Sequence, residues 1–229
     1  MKKTTGHSDS IVLAAAVVLS ITLTVISGGL IADAPTAAAT GEEVLSWYRS
    51  SGDHVRWALW MLTVGIPPGA FMFARLRLLL PTSYRDMYFL GAIGLFVTAV
   101  IPAMVMGGLA LHADQLQPAT ARTVHDISLF FGPILTGFTT TMMLPVTMLA
   151  LGNKETIPRW IGILGAVCIV EQAIETITIF GMTGFTEPGG AMNLRLGAGL
   201  VIAWMLSFGL WGAVSGVHRP GPHGSSSDG

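Results

Sequence analysis

Hydrophobic residues along this chain gather into six long runs with short polar breaks between them, at approximately 11–32, 55–75, 87–111, 126–151, 160–182 and 196–217. Each matches the ~20 mostly apolar residues that a helix needs to cross a bilayer. The pattern predicts an all-α protein, a polytopic transmembrane helix bundle of about six spans forming a single domain over residues 1–217. Residues 218–229, rich in Gly, Pro and Ser, are expected to form a disordered cytoplasmic tail. Lys2, Lys3 and Ala32-Asp33-Ala34 flank the first run as a secretory signal's flanks would. That run exceeds the roughly 7–15 residues of a signal's apolar core, so it reads as a retained helix.

Polar residues inside the runs carry the functional information. Glu171 and Glu175 stand one helical turn apart within the fifth run. A charge near the bilayer centre costs at least a few kcal/mol, so acids there face a bundle interior or a water-filled cavity. Successive helical residues advance by about 100°, which puts Cys168, Glu171, Glu175 and Thr178 on one stripe with Gln172 beside it. At about 1.5 Å per residue from Arg159, Glu171 falls near mid-membrane and Glu175 in the outer third. Two ionised carboxylates at this spacing repel and low dielectric penalises each. Glu171 is therefore expected to hold a proton unless a cation sits with it.

The fourth run has its own stripe: His125, Ser128, Gly132, Thr136, Thr139, Met143 and Thr147. If the two stripes face one another, Thr136 meets Glu171 at similar depth, His125 and Asp126 close the outer end, and a hydrated half-channel opens outward. The bland alternative is that these Ser and Thr hydroxyls bond their own helix and the small residues only let helices approach. Arg122 and Asp126 are spaced for an i, i+4 pair at the helix entrance. Arg195, at the start of the sixth run, either neutralises Glu175 or snorkels into the interface. His54, His112 and His125 are expected at the outer boundary, where imidazoles and carboxylates could hold Zn, Cu or haem, although no local ligand motif supports a metal. No cofactor is expected.

Charge fixes an orientation. With the N-terminus cytoplasmic, one side receives Lys2, Lys3, Arg75, Arg77, Arg85, Lys154, Arg159 and Arg219, and the other Arg49, Arg56, Arg122 and Arg195. That bias predicts both termini inside. Composition agrees with a lipid environment: 52% of residues are apolar and 11% charged, against about a quarter charged in soluble domains. Lys and Arg form no cluster able to neutralise many phosphates, which argues against a nucleic-acid partner. The single cysteine, Cys168, excludes an internal disulfide.

Trp47-Tyr48, Arg75-Leu76-Arg77-Leu78-Leu79-Leu80, Pro118-Ala119-Thr120-Ala121-Arg122 and Ile157-Pro158-Arg159-Trp160-Ile161-Gly162 together resemble a broad group of six-helix integral membrane proteins of unknown function from actinobacteria. The resemblance spans most of the chain and implies a multi-pass topology in a bacterial inner (cytoplasmic) membrane, with no activity attached. The chain departs from that pattern at Glu171, Gln172 and Glu175, where an apolar helix is usual, and at His125, where an apolar or acidic residue is usual. The leading expectation is a protein that binds or moves a small solute or cation at Glu171 and Glu175. In it Gln172 and Thr136 line the route and His125 exchanges protons with the outer face. The alternatives are a non-catalytic subunit docking a membrane-protein partner or a second copy of itself, and a redox or metal protein using His54, His112 and His125. No enzyme motif stands out.

Overall fold

A computed structural model describes residues 5–152 and 157–215. The expected tail, Lys2, Lys3, Lys154 and Arg219 lie outside the described residues. Every regular element is helical: α1 (Thr5–Leu30), α2 (Gly41–Leu76), α3 (Thr82–His112), α4 (Pro118–Leu129), α5 (Phe131–Leu151), α6 (Arg159–Glu175) and α7 (Ala198–Ser215). Among the described residues six helices are long and apolar enough to cross a membrane, with α4 and α5 together supplying one of them. This is compatible with a multi-pass membrane protein.

Several boundaries differ from expectation, each for a local reason. The second helix starts at Gly41 rather than near residue 55. Thr40 accepts from the Glu43 backbone N–H at 3.3 Å while the Glu43 carboxylate accepts from the Thr40 N–H at 2.6 Å, a reciprocal cap that starts a helix well outside the apolar run. The break between the first two apolar runs, residues 33–54, is therefore helical from Gly41 onward. The fourth helix starts at Pro118 and is interrupted at Phe130. Pro133 has no N–H to bond the Leu129 carbonyl, and its ring crowds that carbonyl, so the chain re-enters helix with a break. The fifth run leaves α-helical geometry at Glu175 and continues as a 3₁₀ turn, Thr176–Phe180. The sixth begins earlier, as a π-helical turn, Met192–Gly197.

At about 1.5 Å per residue, α2 is roughly 54 Å long, nearly twice the ~30 Å hydrocarbon thickness. Its exposed Trp57 and Trp60 and its Arg75 are about 27 Å apart along the axis between Trp57 and Arg75, the spacing of two interfaces. α2 is thus longer than a single span requires, and its first turns precede the exposed tryptophans. There Val44, Leu45, Tyr48 and Val55 pack with Leu109 of α3, Ala113 just beyond its end and Ala121 of α4 in a small core of their own.

Around the main body the helices form a closed ring in the order α1, α2, α3, α5, α6, α7 and back to α1. Tyr88, Phe73, Met142, Met143, Trp204 and Phe208 fill its interior. On α6, Ile163, Val167, Val170 and Ile174 are exposed, while Gly165, Cys168, Glu171, Gln172 and Glu175 are buried. Apolar side chains face out and polar ones face in, the inverse of a soluble helix.

Candidate functional site

The site is built where α6 ends, against α5 and the π turn. Glu171 and Glu175 are 8% and 3% exposed, and Gln172, Thr139, Thr178 and Asn193 are buried around them. Gln172 Nε2 donates to Glu171 Oε2 at 2.9 Å and to Glu175 Oε2 at 2.7 Å. Its Oε1 accepts from the Thr139 hydroxyl of α5. In this orientation the amide oxygen faces a hydroxyl and the amide N–H groups face two carboxyl oxygens. Asn193 Nδ2 donates to Glu175 Oε1 at 2.5 Å and to Thr178 Oγ1 at 3.3 Å.

Local backbone geometry makes this contact possible. The π turn carries Asn193 inward and brings Gly197 against the acid: a Cβ there would lie 2.2 Å from Glu175 Oε2. A side chain at this position would have to push the Glu175 carboxyl end aside. π turns are frequent at functional positions.

Charge accounting gives the site its chemistry. Among the described residues the four ion pairs are Arg49–Asp114, Arg56–Asp53, Arg75–Asp9 and Arg122–Asp126. None involves Glu171 or Glu175, so two carboxyl groups share one amide donor inside the bundle with no basic side chain to balance them. Glu175 has both oxygens engaged by amide N–H groups, whereas Glu171 Oε1 has no partner among the described residues, and neither does Asn193 Oδ1. A buried oxygen of this kind calls for a proton, a water or a cation. The surrounding donors are carboxyl, amide and hydroxyl oxygens, a set suited to protons and hard cations rather than soft metals.

The other sequence candidates are distributed differently. Thr136 is buried, but its hydroxyl donates to the Pro133 carbonyl at 2.7 Å, and it is Thr139, one turn on, that reaches the acidic group. His125 is wholly buried among other partners. Its Nδ1 lies 2.9 Å from the Tyr48 hydroxyl and its Nε2 2.8 Å from the Pro35 carbonyl. A carbonyl only accepts, so Nε2 carries the proton and Tyr48 donates to Nδ1. His125 thus fastens the 31–40 segment to α4 instead of opening the acidic site to water. Arg122 reinforces the fastening through Asp126 at 2.9 Å and the Ala37 carbonyl, and the Ala38 N–H donates to Glu187 at 3.2 Å.

Arg195 is exposed and pairs with no acid among the described residues, which leaves Glu175 without the neutralising partner considered for it. His54 and His112 are also exposed and do not join His125. Among the described residues no three His, Cys, Asp or Glu side chains gather as a metal-ligating group.

Asn193 was missed from sequence because it precedes the apolar run; its place between Met192 and Leu194 was the available signal. Comparison with protein-family models, with curated proteins and with solved structures finds no match, so function is read from this geometry.

Proposed function

We propose that this is a multi-pass protein of a bacterial inner membrane, with both termini cytoplasmic, that binds or moves a proton, cation or small solute at the Glu171–Gln172–Glu175 site. The observation that carries the reading is an acid pair buried inside the helix ring, held by Gln172 and Asn193 and balanced by no basic residue among those described. Such a pair has no packing value, and low dielectric makes it expensive unless a mobile positive charge visits it. Orientation follows from the excess of Lys and Arg on the side of Arg75, Arg77, Arg85 and Arg159. Burial of Glu171 by its own chain favours this reading over docking of a partner helix, where the acid would face outward to meet a partner's Arg or Lys.

The test is solute and cation movement in proteoliposomes under an imposed pH gradient. Glu171→Gln keeps the shape and the hydrogen-bonding capacity, so it should fold and should abolish pH-driven movement. Full movement in the folded variant rejects the role of the acid pair.

A further inference from the structure

Further along the ring interior from the acidic pair lies a second group of buried polar atoms with no hydrogen-bond partner among the described residues: Thr147 Oγ1, Trp204 Nε1 and the Tyr88 hydroxyl. Thr147 and Trp204 converge on Gly165, where a Cβ would lie 2.2 Å from Thr147 Oγ1 and 2.9 Å from Trp204 Nε1. Tyr88 is linked to them through Phe208, whose ring is 5.9 Å from that of Tyr88 and stacks on Trp204 at 5.4 Å.

These atoms continue the stripes that build the acidic site. On α5, Thr139, Met143 and Thr147 follow at steps of four. On α6, Glu171, Cys168 and Gly165 follow at steps of three, toward the end of the bundle where Arg159 begins that helix. Only one layer separates the two polar groups along these stripes, made by the fully buried Met143 and Cys168. Cys168 Sγ donates to the Leu200 carbonyl at 3.4 Å, and Met143 is a flexible, unbranched side chain that repacks at low cost.

Unpaired buried hydroxyl and indole groups are costly and each needs a reason. Water-bridged proton transfer supplies one, since it requires groups whose hydrogen-bonding capacity is not already spent within the protein. We propose that the species moved is the proton, and that it travels between Glu171 and the Arg159 end of the bundle past the unpaired polar atoms of Thr147, Trp204 and Tyr88, crossing the Met143–Cys168 layer. A proton leaves water at one face, resides on Glu171 Oε1, and returns to water at the other; no other bond is made or broken. The groups facing Glu171 from its own helix are Gln172, Glu175 and Cys168, with Thr139 from α5 and Asn193 from the π turn beyond them. The inference rests on the acidic site proposed above.

The full chain is reconstituted into phosphatidylethanolamine and phosphatidylglycerol vesicles loaded with pyranine. A potassium gradient with valinomycin sets the potential and balances the charge. The wild type should acidify the interior well above empty vesicles, and Glu171→Gln should not. Thr147→Val keeps the volume and removes only the hydroxyl. It should slow the flux at least tenfold while unfolding at a temperature no lower than the wild type, and Trp204→Phe should slow it similarly. A structural role for Thr147 would leave the flux unchanged. Wild-type vesicles no different from empty ones overturn the proton as substrate. Normal flux in both Thr147→Val and Trp204→Phe overturns the route. Either result leaves the acidic site standing if Glu171→Gln still abolishes movement of another cation or solute, whereas a fully active Glu171→Gln removes both proposals.

Discussion

Replacing His125 by leucine tests whether this residue is a pin or a proton exchanger. Leucine is close to histidine in bulk, so little cavity is left, and the cost comes from the two partners stranded by the change. The Tyr48 hydroxyl loses its acceptor at 2.9 Å and the Pro35 carbonyl its donor at 2.8 Å. The buried Tyr48 hydroxyl left unsatisfied costs about 1–3 kcal/mol and the half-buried Pro35 carbonyl, which regains water, costs less, so His125→Leu should cost roughly 1–4 kcal/mol. Tyr48→Phe alone strands only Nδ1 and should cost about 1–3 kcal/mol. In the double variant the hydroxyl and the ring are both gone, so only the Pro35 carbonyl remains unpaired. Tyr48→Phe should then be stabilising in the His125→Leu background, by about 1–3 kcal/mol, although it destabilises the wild type. For a chain of this size each kcal/mol moves the unfolding midpoint by roughly 2–4 °C, so the reversal is measurable by circular dichroism in detergent. Folded His125→Leu protein should retain its transport rate. An equal loss from Tyr48→Phe in both backgrounds would refute the pin, as would a folded His125→Leu protein that has lost transport.

Two further outcomes follow from the same geometry. Gly197→Ala places a methyl group 2.2 Å from Glu175 Oε2; it should cost about 1–3 kcal/mol by forced displacement and change the carboxyl bands in the infrared spectrum, and an unaltered spectrum would show that the acid does not depend on this close approach. Arg122→Gln breaks a partly exposed pair with Asp126, worth at most about 1 kcal/mol, but also releases the Ala37 carbonyl. The 31–40 segment should become more sensitive to limited proteolysis while the unfolding midpoint barely moves.

Local signals in the chain foretold some of these features and left others unread. Thr40 and Glu43 spell a capping box that starts α2 outside its apolar run, and Pro133 marks the break after Leu129. Both were legible, yet hydropathy alone pointed past them because it reads burial in lipid and is blind to caps. Thr139 and Thr178 lay on the expected stripes. Thr136 was the residue expected to meet Glu171, but its hydroxyl is spent on the Pro133 carbonyl and Thr139 makes the contact to α6 instead. Asn193 fell outside its run because a π turn, not a loop, carries it to Glu175.

What the sequence by itself determined is the set of six apolar helices and the presence of two acids within one of them. Lipid offers backbone groups no hydrogen bonds, so each apolar run must satisfy its own as a helix. The tertiary structure decided which polar side chains meet. The ring joins α3 to α5 and α7 back to α1, Asn193 reaches Glu175 from the π turn, and both partners of His125 come from segments distant in sequence. Hydrogen bonds between such segments depend on helix rotation and depth to within an ångström or two, and no periodicity along a single run encodes that.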